Sequence, residues 1–264
     1  MKSGNTKMVR HPYTDAKITL AQFFEEFGGK HEKQWAGKTR PAPLCFACRC
    51  PMATKGDDRP IHTITIAHWP KDKRPCPLRN QANEKYELLD DGYVNPARGV
   101  ALRARFMQDW WHHFNVINSF VDYVYDIKDF IAMIELADDK KLWQRARLEL
   151  WEIPFIFMVW RAFEPVKNHT TGRYLRDYWI RFWLDATCKS INDLWIRATQ
   201  QMKIVRAEYY RPLRKNFPGE SELIGDPVEI EIHPWQPSAN TARLPNPYQI
   251  NLYSRRFHEA VVPN

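Results

Sequence analysis

Residues that could do chemistry are concentrated in one short stretch: Cys45, Cys48, Cys50, His62, His68 and Cys76 all fall within 45–76, and Cys188 is the one cysteine elsewhere. Zinc takes four ligands in a tetrahedron of thiolate sulfur and imidazole nitrogen, and a CxxC turn supplies two of them at the correct bite. Cys45 and Cys48 form that pair. His68 and Cys76 complete the set, with seven residues between them and Trp69-Pro70, Pro75 and Pro77 restricting the backbone. Cys50 or His62 could replace either. Four protein ligands fill the tetrahedron and leave no position for a reactive water, so the expected Zn2+ is structural. A disulfide is the competing chemistry, and it needs an oxidising compartment. The chain opens Met-Lys-Ser-Gly-Asn-Thr-Lys without an apolar signal segment, from which a cytoplasmic location is expected.

The run from Leu44 to Leu78, with its CxxC at Cys45 and Cys48, a basic middle stretch, a His-containing turn at Ile66–Trp69 and Cys76-Pro77, resembles the N-terminal zinc-binding region of CoiA-like competence proteins. In that family the turn reads His-Phe-Ala-His, whereas here it reads Thr-Ile-Ala-His-Trp, so that only His68 maps onto the final histidine. Family members carry a restriction-type nuclease domain downstream, with an acidic ExK or ExQ core on a strand. The only ExQ here, Glu32 to Gln34, lies ahead of the zinc region. The resemblance therefore implies work on nucleic acid without the cutting domain.

The elements that must position these residues follow from hydrophobic pattern. Residues 1–43 form a basic arm with a helix over Ala16–Phe27, capped by Thr14 or Asp15 and closed by Gly28-Gly29. The zinc module spans 44–80, where Thr63–Ile66 reads as a short strand leading into His68. An acidic connector, 81–96, precedes a long-helix bundle over 97–217, with apolar residues recurring at threes and fours. Helices are expected at 97–134, at 139–164 with a bend at Pro154, and at 170–211 with a break near Lys189-Ser190. The last part, 218–264, reads as an extended tail with short strands at 228–232 and 248–253. The expected fold is thus mainly α. At 264 residues and 44% hydrophobic the chain can bury a core, and its longest apolar run, Ile153–Trp160, is too short to span a membrane.

Charge supplies the second functional clue. The chain carries a formal net charge of +8, which suits a phosphate backbone or an acidic partner surface. Ten basic residues against four acidic ones lie between Gly172 and Lys215, an excess of six. Arg173, Arg176, Lys203 and Arg206 are placed near helix ends, and Arg211, Arg214 and Lys215 cluster beyond Tyr209-Tyr210, whose rings could stack on bases. In the zinc module Lys71, Lys73 and Arg74 add a second basic surface.

Enzyme readings find less support. His112 and His113 point about 100° apart on a helix and cannot share a ligand face. Asp226, Glu229 and Glu231 lack the lysine of a metal-nuclease core, and the sequence holds no GxxxxGK[ST], GxSxG or GxGxxG motif. The reading that results is a non-catalytic, zinc-stabilised nucleic-acid-binding protein, for DNA ahead of RNA, working with other protein subunits. A bacterial, plasmid or phage DNA-processing or defence complex, including a CRISPR-type effector, is the expected setting. A protein-interaction adaptor and a divergent CoiA-like or HNH-like nuclease are the alternatives.

Overall fold

A computed structural model describes residues 8–70, 76, 78, 94–122, 126–168, 170–184, 202–213, 217–219, 222–232 and 253–259. The chain divides into two compact units, one of Met1–Ala82 with Ala207–Val228 and one of Asn83–Arg206 with Glu229–Asn264.

In the first unit, strands β1 (Met8–Arg10) and β2 (Lys17–Thr19) pair antiparallel, with Val9 opposite Ile18. The chain turns directly into α1 (Leu20–Phe27), because Thr19 caps it: its hydroxyl accepts from the Gln22 amide while the Gln22 side chain accepts from the Thr19 amide. Gly28, at φ +61°, ends the helix with its amide donating to the Phe24 carbonyl. Leu20, Phe23 and Phe27 pack with Val9 and Ile64 into a small core. His11 fixes the hairpin to the helix. Its Nδ1 accepts from the Tyr13 and Thr14 amides, so Nε2 carries the proton and donates to Glu26 at 2.9 Å. A second antiparallel pair, β3 (Met52–Lys55) and β4 (Thr65–His68), sets Met52 opposite His68. Arg40 ties this pair to α1, donating to the Gly28 carbonyl and to Thr54 while meeting the buried Asp57 at 2.9 Å.

The second unit has an aromatic core. Helices α2 (Pro96–Gln108), α3 (Trp110–Phe120), α4 (Ile127–Asp139) and α5 (Ile153–Trp160) surround Phe106, whose ring stacks on His113 at 4.2 Å and meets Trp143, Phe157 and Phe130 within 6 Å. All eight residues of α5 are buried, so the longest apolar run of the chain is the centre of a core. Asn95 caps α2 and Pro96 opens it. Gly99 lets that helix approach the turn at Leu142–Gln144, since a Cβ there would lie 3.0 Å from the Gln144 Cα. Residues 253–259 form a last helix, α6, with Phe257 stacked on Trp110 at 4.3 Å. Strands β5 (Ala162–Phe163), β8 (Trp179–Leu184), β9 (Met202–Tyr209) and β10 (Leu223–Ile232) form a sheet in the order β10-β9-β8-β5. Between β5 and β8, β6 (Val166–Lys167) and β7 (Tyr174–Arg176) make a separate hairpin.

This mixed α/β architecture corrects the expectation of a mainly α fold: among the described residues, ten strands lie in four sheets. The helix expected at 170–211 gives way to β7, β8 and β9, joined by turns and irregular stretches, among its described residues; 185–201 lie outside them. Trp179, Ile180, Arg181, Phe182 and Trp183 are all buried, and a run buried on every side satisfies a spacing of three or four as readily as a spacing of two. Its aromatic and β-branched content favours the strand. The expected helix 97–134 is broken at Asp109 and again at Val121-Asp122, where Asp122 sits at φ +59°. Pro154 starts α5 rather than bending a longer helix. The helix expected from Ala16 starts at Leu20 because 17–19 pair with β1. In the tail, 228–232 fall within β10, whereas Tyr253 begins a helix where a strand end was expected and 248–252 lie outside the described residues. No helix among the described residues is long and apolar enough to cross a membrane.

Two buried groups make the stability of this unit pH-dependent in opposite directions. Burial is the main cause that raises the Glu152 carboxyl to about 8; burial, aided by His112, lowers His113 to about 3. Unfolded values are about 4.3 and 6.5. Glu152 holds its proton more tightly when folded, so its contribution is full below about pH 4.3 and is lost as pH rises towards 8. His113 binds its proton less tightly when folded, so its contribution is full above about pH 6.5 and is lost as pH falls towards 3. Urea midpoints should show E152Q flattening the fall in stability between pH 5 and 8, and H113F flattening the fall below pH 6.5. Each group changes the slope by at most about 1.4 kcal/mol per pH unit.

Candidate metal centre

The CxxC turn hangs from the first hairpin. Arg10 and Leu44 exchange backbone hydrogen bonds of 2.9 and 3.0 Å, and Leu44 also bridges to Pro51, so the chain leaves β1's edge, turns and returns within eight residues. Inside that turn the Cys45 amide donates to the Cys50 carbonyl at 2.8 Å and the Arg49 amide donates to the Cys45 carbonyl at 3.0 Å. Arg49 takes a left-handed conformation, φ +57°, to close it. The chain then enters β3, whose register places His68 at the end of β4, two residues along from Cys50 on the facing strand.

Four donors converge here. One ligand atom from each of Cys45, Cys48, His68 and Cys76 lies within 4.8 Å of every other. A tetrahedron with metal–sulfur bonds of about 2.3 Å has sulfur–sulfur edges of roughly 3.8 Å. Cys45 Sγ and Cys76 Sγ are 3.7 Å apart, and Cys48 Sγ lies 3.2 Å from His68 Nε2. The first separation is far beyond the roughly 2 Å of a disulfide. These four residues can therefore hold a metal ion. Of the two reserve ligands, Cys50 turns its thiol to the Cys48 carbonyl at 3.6 Å, and His62 is exposed on the short 3-10 turn Ile61–Thr63.

The thiols are strongly unequal. Hydrogen bonds from Cys45 and Cys76 hold the Cys48 thiol far below the ordinary range, against the opposing effect of burial, and His68 and the Cys50 amide add to them. Cys76 is pushed far up, chiefly by its contacts with Cys45 and Cys48 and then by burial. Three sulfurs this close cannot all ionise without a cation among them. The donor set thus has the chemistry of a metal site as well as its geometry.

Sequence reasoning missed the brace around the turn. Asp15, at φ +58°, accepts both of its oxygens' bonds from Arg49 Nε at 2.8 and 2.9 Å and lies 3.5 Å from Arg10. Arg10 also donates to the Phe46 carbonyl at 3.0 Å, inside the CxxC. No spacing rule links residues 10, 15 and 49.

The basic residues are dispersed. Lys71, Lys73, Arg74, Arg214 and Lys215 lie outside the described residues, as does the side chain of Lys203, whose backbone is in β9. Arg173 is exposed in the β6–β7 turn, and Arg211 is exposed just after β9. Arg176 is only 4% exposed and donates to the carbonyls of Val121, Glu164 and Tyr178. Arg206 pairs with Asp122, which also accepts from the Tyr178 hydroxyl. Arg176 therefore serves the interior of its unit and Arg206 a surface pair with Asp122, both on strands rather than at helix ends.

No protein family, curated protein or solved structure matches the chain. The likeness of Leu44–Leu78 to CoiA-like proteins rests on its residues alone.

Two outcomes check the site. Elemental analysis of purified protein should find about one equivalent of metal, lost in C45S and C76S and retained in C50S and H62A. D15A should keep that stoichiometry but bind metal up to about tenfold more weakly in competition with a chelating dye, because the outer residues that orient a ligand turn tune affinity on this scale.

Proposed function

We propose that the chain is a structural zinc protein whose surface binds nucleic acid, DNA ahead of RNA, as a non-catalytic subunit of a larger assembly. The observation that carries the zinc part of the proposal is the converging set of three thiols and one imidazole. Soft thiolates in a tetrahedral set select zinc over the hard cations, and four protein donors leave the ion no place for an activated water. Zinc would then cross-link the CxxC turn, the end of β4 and Cys76, joining parts of the chain that are distant in sequence. A reducing, cytoplasmic compartment suits thiols kept free for metal.

The net charge of +8 supports the nucleic-acid part. A basic surface releases counterions from a phosphate backbone, so affinity must fall steeply with salt. Fluorescence anisotropy with a labelled 15-base-pair duplex and a labelled 15-base single strand should show binding at low salt. A log–log salt slope steeper than about −3 is expected, corresponding to four or so phosphates neutralised. Affinity for a partner protein that does not change with salt, without binding to either oligonucleotide, would establish an adaptor instead. Divalent-dependent cleavage that H68A abolishes while zinc stays bound would establish a nuclease.

A further inference from the structure

The donors of the metal cluster differ in how far solvent reaches them. Cys45 and Cys76 are completely buried and His68 is 9% exposed, whereas Cys48 is only partly buried. Water and small solutes therefore meet one sulfur of the three, and that sulfur lies within 4.8 Å of the other two. A buried structural cysteine is inert, whereas a solvent-accessible thiolate poised next to a second cysteine is the arrangement that oxidants attack.

The partner of Cys48 is set by the turn that carries it. Cys45 belongs to the same turn, which the Arg49 amide closes on the Cys45 carbonyl at 3.0 Å and the Cys45 amide closes on the Cys50 carbonyl at 2.8 Å. Joining these two sulfurs needs movement inside the turn alone, whereas joining Cys48 to Cys76 would draw in a segment distant in sequence. Cys50 adds a fourth thiol nearby, but it donates to the Cys48 carbonyl at 3.6 Å and is not among the clustered donors.

We propose that the site is a peroxide-operated zinc switch, in which Cys48 is oxidised, Cys45 resolves it as a disulfide and the metal is expelled. The inference rests on the zinc reading above and adds its regulation. The Cys48 thiolate attacks hydrogen peroxide: an S–O bond forms, the O–O bond breaks and hydroxide leaves. The Cys45 thiolate then attacks the Cys48 sulfenic acid, so that an S–S bond forms, the S–O bond breaks and a second hydroxide leaves. Two electrons pass from the two sulfurs to the peroxide, and both hydroxides take protons from solvent to become water. The thiolate is the form that binds metal, so neither sulfur of the disulfide remains a ligand. Zn2+ keeps its charge, is left with His68 and Cys76 as its protein donors, and departs.

The test uses the full-length, zinc-loaded protein with hydrogen peroxide and a chromogenic zinc chelator. The parent should release about one equivalent of zinc. Differential alkylation and mass mapping should place the new disulfide between Cys45 and Cys48, and dithiothreitol should restore zinc binding. C48H and C76H each keep four donors, two sulfurs and two imidazoles, a set that zinc accepts. C48H lacks the solvent-open sulfur and should release zinc at least about tenfold more slowly than the parent. C76H keeps Cys45 and Cys48 and should stay within about twofold of the parental rate, as should C50S. Where either histidine variant fails to hold zinc, the disulfide mapped in the parent decides alone. A loaded parent that keeps its zinc in peroxide overturns the inference and leaves the zinc reading standing. So does a disulfide through Cys76 or Cys50, and so does C48H that releases zinc as fast as C76H. A parent that binds no zinc under reducing conditions overturns both.

Discussion

The first unit depends on a constraint of charge: three thiols and an imidazole are held within 4.8 Å of one another. Neutral thiols tolerate that distance, but thiolates repel unless a cation sits among them. Among the described residues, one hydrophobic cluster of this unit has five buried members, Val9, Leu20, Phe23, Phe27 and Ile64. Strand pairs of three and four residues, such as β1–β2 and β3–β4, are marginal alone. A metal held there would bond parts of the chain that are distant in sequence, and metal binding and folding of the module would then be one equilibrium. Arg10, Asp15 and Arg49 extend the constraint outward, because they connect the first hairpin to the turn that offers two of the sulfurs.

How much of this was legible in the sequence depended on whether the governing interaction was local. The CxxC spacing is a local geometric requirement, and Cys45, Cys48, His68 and Cys76 converge as their types and order suggested. Gly28 ends its helix where a glycine should. By contrast, Ala16–Thr19 looked helical because the segment runs into a helix, and only pairing with Met8–Arg10 makes 17–19 a strand. The same limit explains β8. Trp179–Trp183 is uniformly apolar apart from Arg181, and a residue buried on either face carries no signature of its period. Pairing partners decide such segments, and partners are not written in the segment itself.

The second unit shows how charge enters a core as structural bonding. Arg176 is buried beside carbonyls of Val121, Glu164 and Tyr178, at the places where α3 ends and the β6–β7 hairpin begins. The bond to Val121 is buried, where a hydrogen bond left unmade is costly. A guanidinium with five donors in a fixed plane can satisfy several at once, as a lysine cannot. Glu152 is buried at the start of α5 as a neutral carboxyl, one oxygen of which accepts from the Glu149 amide.

It follows that net charge and charged surface are different quantities in this chain. Among the basic residues of 172–215, Arg176 and Arg181 are buried and Arg206 is engaged with Asp122, so they add to the formal excess while presenting little of it to a phosphate backbone. A strand that alternates direction every residue sends neighbouring arginines to opposite faces, whereas a helix would have gathered every third or fourth on one. Replacing the expected 170–211 helix by strands therefore dissolves the continuous basic face that helical spacing implied.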